Sequence, residues 1–374
     1  MFTKSPHILT IFRALSDPRQ QAKVDHRLTD MIVIALCAAI CGSDSWADVE
    51  RFARMKENWF RRFLKLENGI PSHDTFGRVF ARLDTDEFYD CLKQWVESLQ
   101  LSLQDRAVHI DGKTVRRSFD KKAGTAALQV VSAWSSELQL CLGQVAVEEG
   151  SNEITAVPQL LELLELTGAV VTLDAMHCQT RTARQIRKND ADYILVVKGN
   201  QPSLRKTIGD LFERHGEDGY RDRRVRIHKT TQRSRGRFEQ RVYTVAPAPK
   251  ELRQQGWTDV KTVGMLYRHR IAGSKETQEV VYFISSLPPK VRTLATHLRN
   301  HWTIENQLHW SLDVTFAEDS SRIRKGNGQE VAGAFRRLAL SMLKRNTTVK
   351  SSLRGKRLMA GWNSDLLEQI LSGK

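Results

Sequence analysis

Three acidic residues sit where a strand or a helix can aim them. Asp111 ends the apolar run Ala107-Val108-His109-Ile110, Asp174 ends the run Val170-Val171-Thr172-Leu173, and Glu305 follows Trp302-Thr303-Ile304 in a helical stretch. A charge in an apolar run is costly unless something meets it. Two aspartates and a glutamate are oxygen donors of the kind that hold Mg²⁺, which keeps several of its waters. Two such ions, about 3.5 to 4 Å apart, clamp the attacking and leaving oxygens of a phosphodiester during in-line displacement. Either aspartate alone also reads as a turn or capping residue, and Asp111-Gly112 is a common turn pair.

The segment Arg299 to Trp310 (RNHWTIENQLHW) puts Glu305, His309 and Asp313 at i, i+4 and i+8, on one helix face. No second histidine has the spacing of a zinc motif. Along a helix Asp313 lies roughly 12 Å from Glu305, so only one of them can complete a site with Asp111 and Asp174. Glu305 is favoured as lying in the packed part of the helix; Asp313, Glu318 and Asp319 read as capping or solvated acids. Trp302 and Trp310 either stack on unpaired bases or pack, with packing expected for at least one. Lys113 follows Asp111, Lys198 precedes Asn200 and Gln201, and Arg233-Ser234-Arg235-Gly236-Arg237 is followed by Arg241. A glycine turn lets backbone approach a phosphate and arginines bind its oxygens bidentately, so DNA contact is set against a solvated basic loop.

The whole chain points the same way. Its 374 residues carry 58 Lys+Arg against 43 Asp+Glu, a formal charge of +15, which disfavours a purely neutral or acidic ligand-binding role and suggests a polyanionic partner, nucleic acid first. With 40% hydrophobic and 27% charged residues it can bury cores, excluding a disordered tail or a mini-protein. Five cysteines with no C-x-x-C spacing argue against a disulfide framework. Met31 to Cys41 is an uncharged run about half the roughly 20 residues of a membrane span, so it reads as a buried helix. No export signal is read at the start, and a cytoplasmic, nucleoid-associated protein without membrane contact is expected.

These residues need elements to position them. From about residue 25 to 100 the pattern is helical: Ser45 with Asp48 forms a capping box before a stripe from Val49 to Phe63, Ser72 caps a second helix with Phe76, Val79 and Phe80 inside, and Asp84 starts a third. Arg78 and Arg82 on the second helix fit a DNA-reading helix-turn-helix or a bundle with a solvated basic face. After residue 105 the order is strand (107–111), strand (128–133), strand (140–147), helix (154–166), strand (170–173), helix (181–188), strand (193–197). That order predicts an α/β fold, a ribonuclease H-like mixed sheet with helices on its faces, in which the first and fourth strands are neighbours and their aspartates converge. Basic strand-like segments then form a β-rich insertion, about 215–288, before a helix from Val291 to Leu312 and another from Gly333 to Lys344. The expected organisation is a helical domain over 1–104, a catalytic domain over 105–350 and a basic tail over 351–374.

The motifs DGKTVRRS (111–118), SNEITAVPQLL (151–161), LDAMHCQ (173–179), VKGNQ (197–201) and RNHWTIENQLHWSLDVTFAED (299–319), in that order, resemble the H-repeat-associated (ISAs-type) insertion-sequence transposases, a branch of the DDE transposases. The resemblance covers nearly the whole chain, since DPRQQAKVDHRLTDMIVIALCAAICGSDSW and ENGIPSHDTFGRVF are similar to the helical domain preceding that family's core. It implies a catalytic triad of Asp111, Asp174 and Glu305 holding Mg²⁺ or Mn²⁺, as two ions. It also implies a double-stranded DNA partner at element ends and target, and a homodimer or higher assembly on DNA. Lys113, Lys198, Arg235, Arg237 and His301 are the expected DNA contacts. Where the broader group carries a Tyr, an Arg and a Lys around the glutamate, this chain has Leu298, His301 and Leu312, leaving His301 or another basic residue to meet the phosphate. The expected activity is cleavage at the ends of the element and joining of the freed 3′ hydroxyl to target DNA. The alternatives are a catalytically silent DNA-binding regulator, which the intact carboxylate set opposes, and a ribonuclease H-like nuclease without strand joining.

Overall fold

Side-chain caps start the N-terminal helices where the sequence puts them. In a computed structural model, which describes residues 7–119, 124, 126–148, 150–234 and 236–373, Ser45 accepts from the Asp48 amide ahead of helix Trp46–Met55. Ser72 does the same from Thr75 ahead of His73–Phe80, and Asp84 from Asp86 and Glu87 ahead of Thr85–Ser98. Each cap satisfies amides that a helix start leaves without partners. The expected stripe from Val49 to Phe63 is not one helix; it breaks at Lys56, and Glu57–Phe60 forms a separate turn.

Two compact units make up the chain, one of Met1–Ser102, Gly112–Ala156 and Glu305–Lys374, the other of Leu103–Asp111 and Val157–Ile304. In the first, helix Leu28–Cys41 is apolar all round and buried from Met31 to Ile40, as a core helix must be. No single described helix is long and apolar enough to cross a membrane. Helix Gly328–Arg345 packs on Leu28–Cys41, and its Phe335 meets the edges of Phe80 and Phe88 at 5.6 and 5.2 Å. The stretch 351–374, expected as a basic tail, folds into helices Leu353–Trp362 and Ser364–Leu371. Leu366, Leu367, Ile370 and Leu371 give it an apolar face to bury. Arg357 is itself buried, donating to the Ala39 carbonyl at 3.0 Å and lying 4.1 Å over the Phe316 ring.

Among the described residues the strands are β1 (Ala107–Thr114), β2 (Gln129–Ser135), β3 (Leu140–Ala146), β4 (Val170–Leu173), β5 (Asp192–Val197), β6 (Arg226–Ser234), β7 (Arg237–Pro247), β8 (Thr262–Ala272) and β9 (Lys275–Ser285). Their order in one mixed sheet is β3-β2-β1-β4-β5-β9-β8-β7-β6. Parallel pairing of β1 with β4 and β4 with β5, and antiparallel pairing of β2 with β3, give the ribonuclease H-like layout. The β-rich insertion does not form a sheet of its own: β9 pairs antiparallel with β5, so β6 to β9 extend the same sheet. In the second unit helix Val291–His301 covers this sheet through Leu294, Ala295 and Leu298, which pack on Val170, Ile194, Tyr243, Val245 and Phe283. Gly264 is required there, because the Phe283 ring lies 2.0 Å from where a Cβ would stand.

Candidate active site

In the second unit β1 and β4 run parallel with Ile110 opposite Leu173, the last pair of their register, so the next residue on each is an aspartate. Neighbouring strands lie about 4.8 Å apart, so Asp111, inside β1, and Asp174, just past β4, follow adjacent residues of neighbouring strands. Asp111 does not sit in a turn; β1 continues through Gly112 to Thr114. The Asp174 side chain is 48% exposed, and His301 Nε2 stands 3.4 Å from its Oδ1. The hydrogen bond from His301 holds the Asp174 carboxyl below its usual range, against the opposing effect of burial, with help from the charge of Lys198.

A polar layer lies beneath the two acids. His109 on β1 is fully buried, and its Nδ1 is 2.7 Å from the Thr172 hydroxyl, which is 2.9 Å from His301 Nδ1. The loop behind Asp174 is tied down from β5: the Asn200 amide donates to the Ala175 carbonyl at 2.7 Å and Gln201 to the Cys178 carbonyl at 2.9 Å. Asn200 and Gln201 therefore position backbone next to Asp174.

In the first unit Glu305 lies on a π-helical turn, Ile304–His309, where the sequence leads one to expect uninterrupted α-helix. Such turns widen the ring by one residue and recur at functional sites. Glu305 is exposed rather than packed, and one of its carboxylate oxygens lies within 4.8 Å of a ring nitrogen of buried His309. Burial, then Arg337 and Lys113, push His309 down to about 3, so its ring is neutral. Asp313, Glu318 and Asp319 are not solvated caps. Lys113 Nζ is 2.7 Å from Asp313, 2.9 Å from Asp319 and 3.6 Å from Glu318, and Glu318 pairs with Arg337 at 2.8 Å while fully buried. Both tryptophans expected to include a packed one are more than half exposed, Trp302 at 53% and Trp310 at 57%.

With this geometry in view, the comparisons are specific. The family described as "Transposase DDE domain" matches residues 102–342, and "DDE_Tnp_1-associated" matches residues 9–96. The protein named "H repeat-associated putative transposase YhhI" of Escherichia coli strain K12 is 36% identical over 370 residues, 96% of each chain. The chain belongs to the DDE transposases. YncI of Escherichia coli O157:H7, also named a transposase, is 35% identical over 98% of this chain and 94% of its own. A relative named "Inactive transposase YbfQ", from strain K12, is 39% identical over 66 residues, 18% of this chain and 79% of its own. The solved synaptic complex of piggyBac transposase with hairpin DNA is similar at a TM-score of 0.45 and 11% identity, over 99% of this chain and 79% of that one.

For a transposase the fates of the expected DNA contacts differ. Lys198 and Arg237 are exposed, Arg237 beside Gly236, whose φ of +72° serves the β6–β7 turn; Arg235 lies outside the described residues. Lys113 and His301 are buried and their nitrogens face the internal partners given above, so neither presents a free cation to a phosphate. Sequence reasoning missed His109, Thr172 and Glu153, whose carboxyl group lies where a Cβ on Gly112 would be, at 2.1 to 2.4 Å. Strand alternation held a signal for the first two, since each precedes an aspartate by two residues and shares its face.

Proposed function

We propose that this transposase cuts DNA at the ends of its element and joins the freed 3′ hydroxyl to target DNA by phosphoryl transfer, with Asp111, Asp174 and Glu305 as the carboxylates that hold Mg²⁺ or Mn²⁺. The observation that carries the reading is the register of β1 and β4, which sets two aspartates side by side directly after the Ile110–Leu173 pair. Glu305 enters through the family pattern, four residues after His301, which itself contacts Asp174. The donors fit the ion: carboxylate oxygens are the hard ligands that Mg²⁺ and Mn²⁺ take, and the half-exposed Asp174 is open to solution. When bound, the divalent ions stabilise charge on the attacking and leaving oxygens.

The chain's own residues orient the acids. His301 holds one oxygen of Asp174, and Asn200 and Gln201 fix the loop behind it. Lys198, Arg237 and Arg235, the last outside the described residues, meet DNA phosphates, and the +15 charge draws the polyanion in. Assembly as a homodimer or larger on paired ends belongs to the same reading.

The test is strand cleavage and joining, with Mg²⁺ or Mn²⁺, on DNA carrying the element's ends. Asp111→Asn, Asp174→Asn and Glu305→Gln are each expected to lower cleavage by about 100-fold or more, the scale for losing one electrostatic element of a site, while end binding and the unfolding midpoint stay unchanged. Near-normal cleavage by any of the three removes that residue from the triad. Specific end binding by the wild type with no cleavage under either ion would instead mark a silent regulator, and cleavage without joining a nuclease.

A further inference from the structure

We propose that the Thr172 hydroxyl, by donating to His301 Nδ1, supports the tautomer of His301 that faces Asp174 and so fixes the Asp174 carboxylate, making His109, Thr172 and His301 positioning residues of the reaction; this rests on the reading of Asp174 as a metal-holding acid. His109 and Thr172 face each other in register on β1 and β4. Each stands two residues before an aspartate, and side chains alternate along a strand, so the pair lies on the face of the acids one pleat further in. The contacts run without a gap: 2.7 Å from His109 Nδ1 to Thr172 Oγ1, 2.9 Å on to His301 Nδ1, and 3.4 Å from His301 Nε2 to Asp174 Oδ1. Thr172 is 2% exposed and His301 8%, which keeps bulk water from competing for these atoms.

Counting hydrogens sets the direction. An ionised carboxylate only accepts, so the ring hydrogen of His301 belongs on Nε2, facing Asp174. A neutral imidazole with that hydrogen has a bare Nδ1, which accepts from the Thr172 hydroxyl. Thr172 has a single hydrogen to give, so toward His109 it accepts, and His109 carries its own hydrogen on Nδ1. The result is one donor chain, His109 to Thr172 to His301 to Asp174, which begins on the strand of one catalytic aspartate and ends on the other. Without the hydroxyl the bare Nδ1 of that form has no donor, so only the carboxylate is left to oppose the other tautomer, which turns a lone pair toward a carboxylate oxygen. Outer partners of this kind change metal affinity about 10- to 100-fold.

The experiment is Mn²⁺ binding to the full chain by calorimetry, together with ¹⁵N NMR of the histidine rings, the His301 signals being assigned by their loss in His301→Gln. In the wild type His301 is expected as the Nε2–H tautomer. Thr172→Val keeps the β-branched shape and removes the hydroxyl; it is expected to weaken Mn²⁺ binding about tenfold and to mix the His301 tautomers, with an unchanged unfolding midpoint. Thr172→Ser is expected to restore binding to within about threefold of wild type. Wild-type Mn²⁺ affinity in Thr172→Val overturns the proposal, as does an Nδ1–H tautomer at His301 in the wild type, a measurement that needs no variant to fold. Asp174→Asn separates the two ideas. If it abolishes Mn²⁺ binding while Thr172→Val does not, the positioning chain fails and the triad stands; if it leaves binding intact, the triad reading itself fails.

Discussion

In the first unit Asp313, Glu318 and Asp319 converge on Lys113 and Arg337; in the second, Asp111 and Asp174 follow the last paired residues of two neighbouring strands. Glu318 is fully buried and Arg337 nearly so, whereas the Asp174 side chain is 48% exposed, with a ring nitrogen of His301 3.4 Å away. Burial raises the Glu318 carboxyl, but Arg337, then Arg336 and Lys113, outweigh it and hold it below its usual value. The chain thus supplies cations where water is excluded, since a buried charge without a partner is among the costliest defects a fold can carry. Asp174, by contrast, stands half in water. The contrast separates acids that internal cations neutralise from acids left open to solution, a distinction their residue types do not reveal.

The largest effect that can break this contrast is on stability. Glu318→Gln leaves Arg337 as a buried charge without its partner and is expected to cost about 3 kcal/mol or more in urea unfolding, whereas Asp111→Asn and Asp174→Asn are expected to leave stability nearly unchanged. Equal losses from both groups would erase the distinction. The Glu318 loss has a definite pH dependence. A carboxyl whose folded pKa lies below its ordinary value of 4.5 stabilises the fold fully above that value, and the contribution drains away as pH falls through the lowered one. Wild type is therefore expected to lose stability in acid below about pH 4.5, and Glu318→Gln to show a shallower fall over the same range.

A second contrast concerns cations. Arg237 is exposed on the insertion hairpin and Lys113 is committed to three carboxylates. Arg237→Ala is expected to weaken DNA binding for all sequences and to lower the slope of log affinity against log salt by about 1. Lys113→Met is expected to leave that slope alone and to reduce stability instead. A salt slope that responds to Lys113 would return it to the DNA interface.

The smallest expected effect is at Gly112. A methyl group there would overlap the Glu153 carboxyl, but this is the free end of a flexible side chain, so Gly112→Ala is expected to cost under about 1 kcal/mol by urea unfolding. A much larger loss would place Glu153 with the acids that hold the structure.

Much of the molecule was legible in order because its signals are local. Ser45, Ser72 and Asp84 cap the helices they precede, and strand and helix alternation from Ala107 to Val197 gives the order of the sheet's core. Asp111 and Asp174 were legible for the same reason: each ends a short apolar run, and the strand order makes those runs neighbours. The π-turn at Glu305 was not, because an i, i+4 pattern reads the same whether or not one residue is extra in the turn. Arg357 looked like part of a basic tail until the carbonyl of Ala39 and the ring of Phe316 were found to receive it.

By itself the sequence determined the periodicities, caps, charge and family motifs, and with them the ribonuclease H-like sheet and the placement of Asp111 and Asp174 beside neighbouring strands. Only the tertiary structure decided which charged groups meet one another. Lys113 and Glu318 are separated by 205 residues, and His301 reaches Asp174 across 127. Such pairings depend on how elements pack, and a buried charge or ring nitrogen takes its role from the partner that packing brings within about 3 Å, not from its neighbours along the chain.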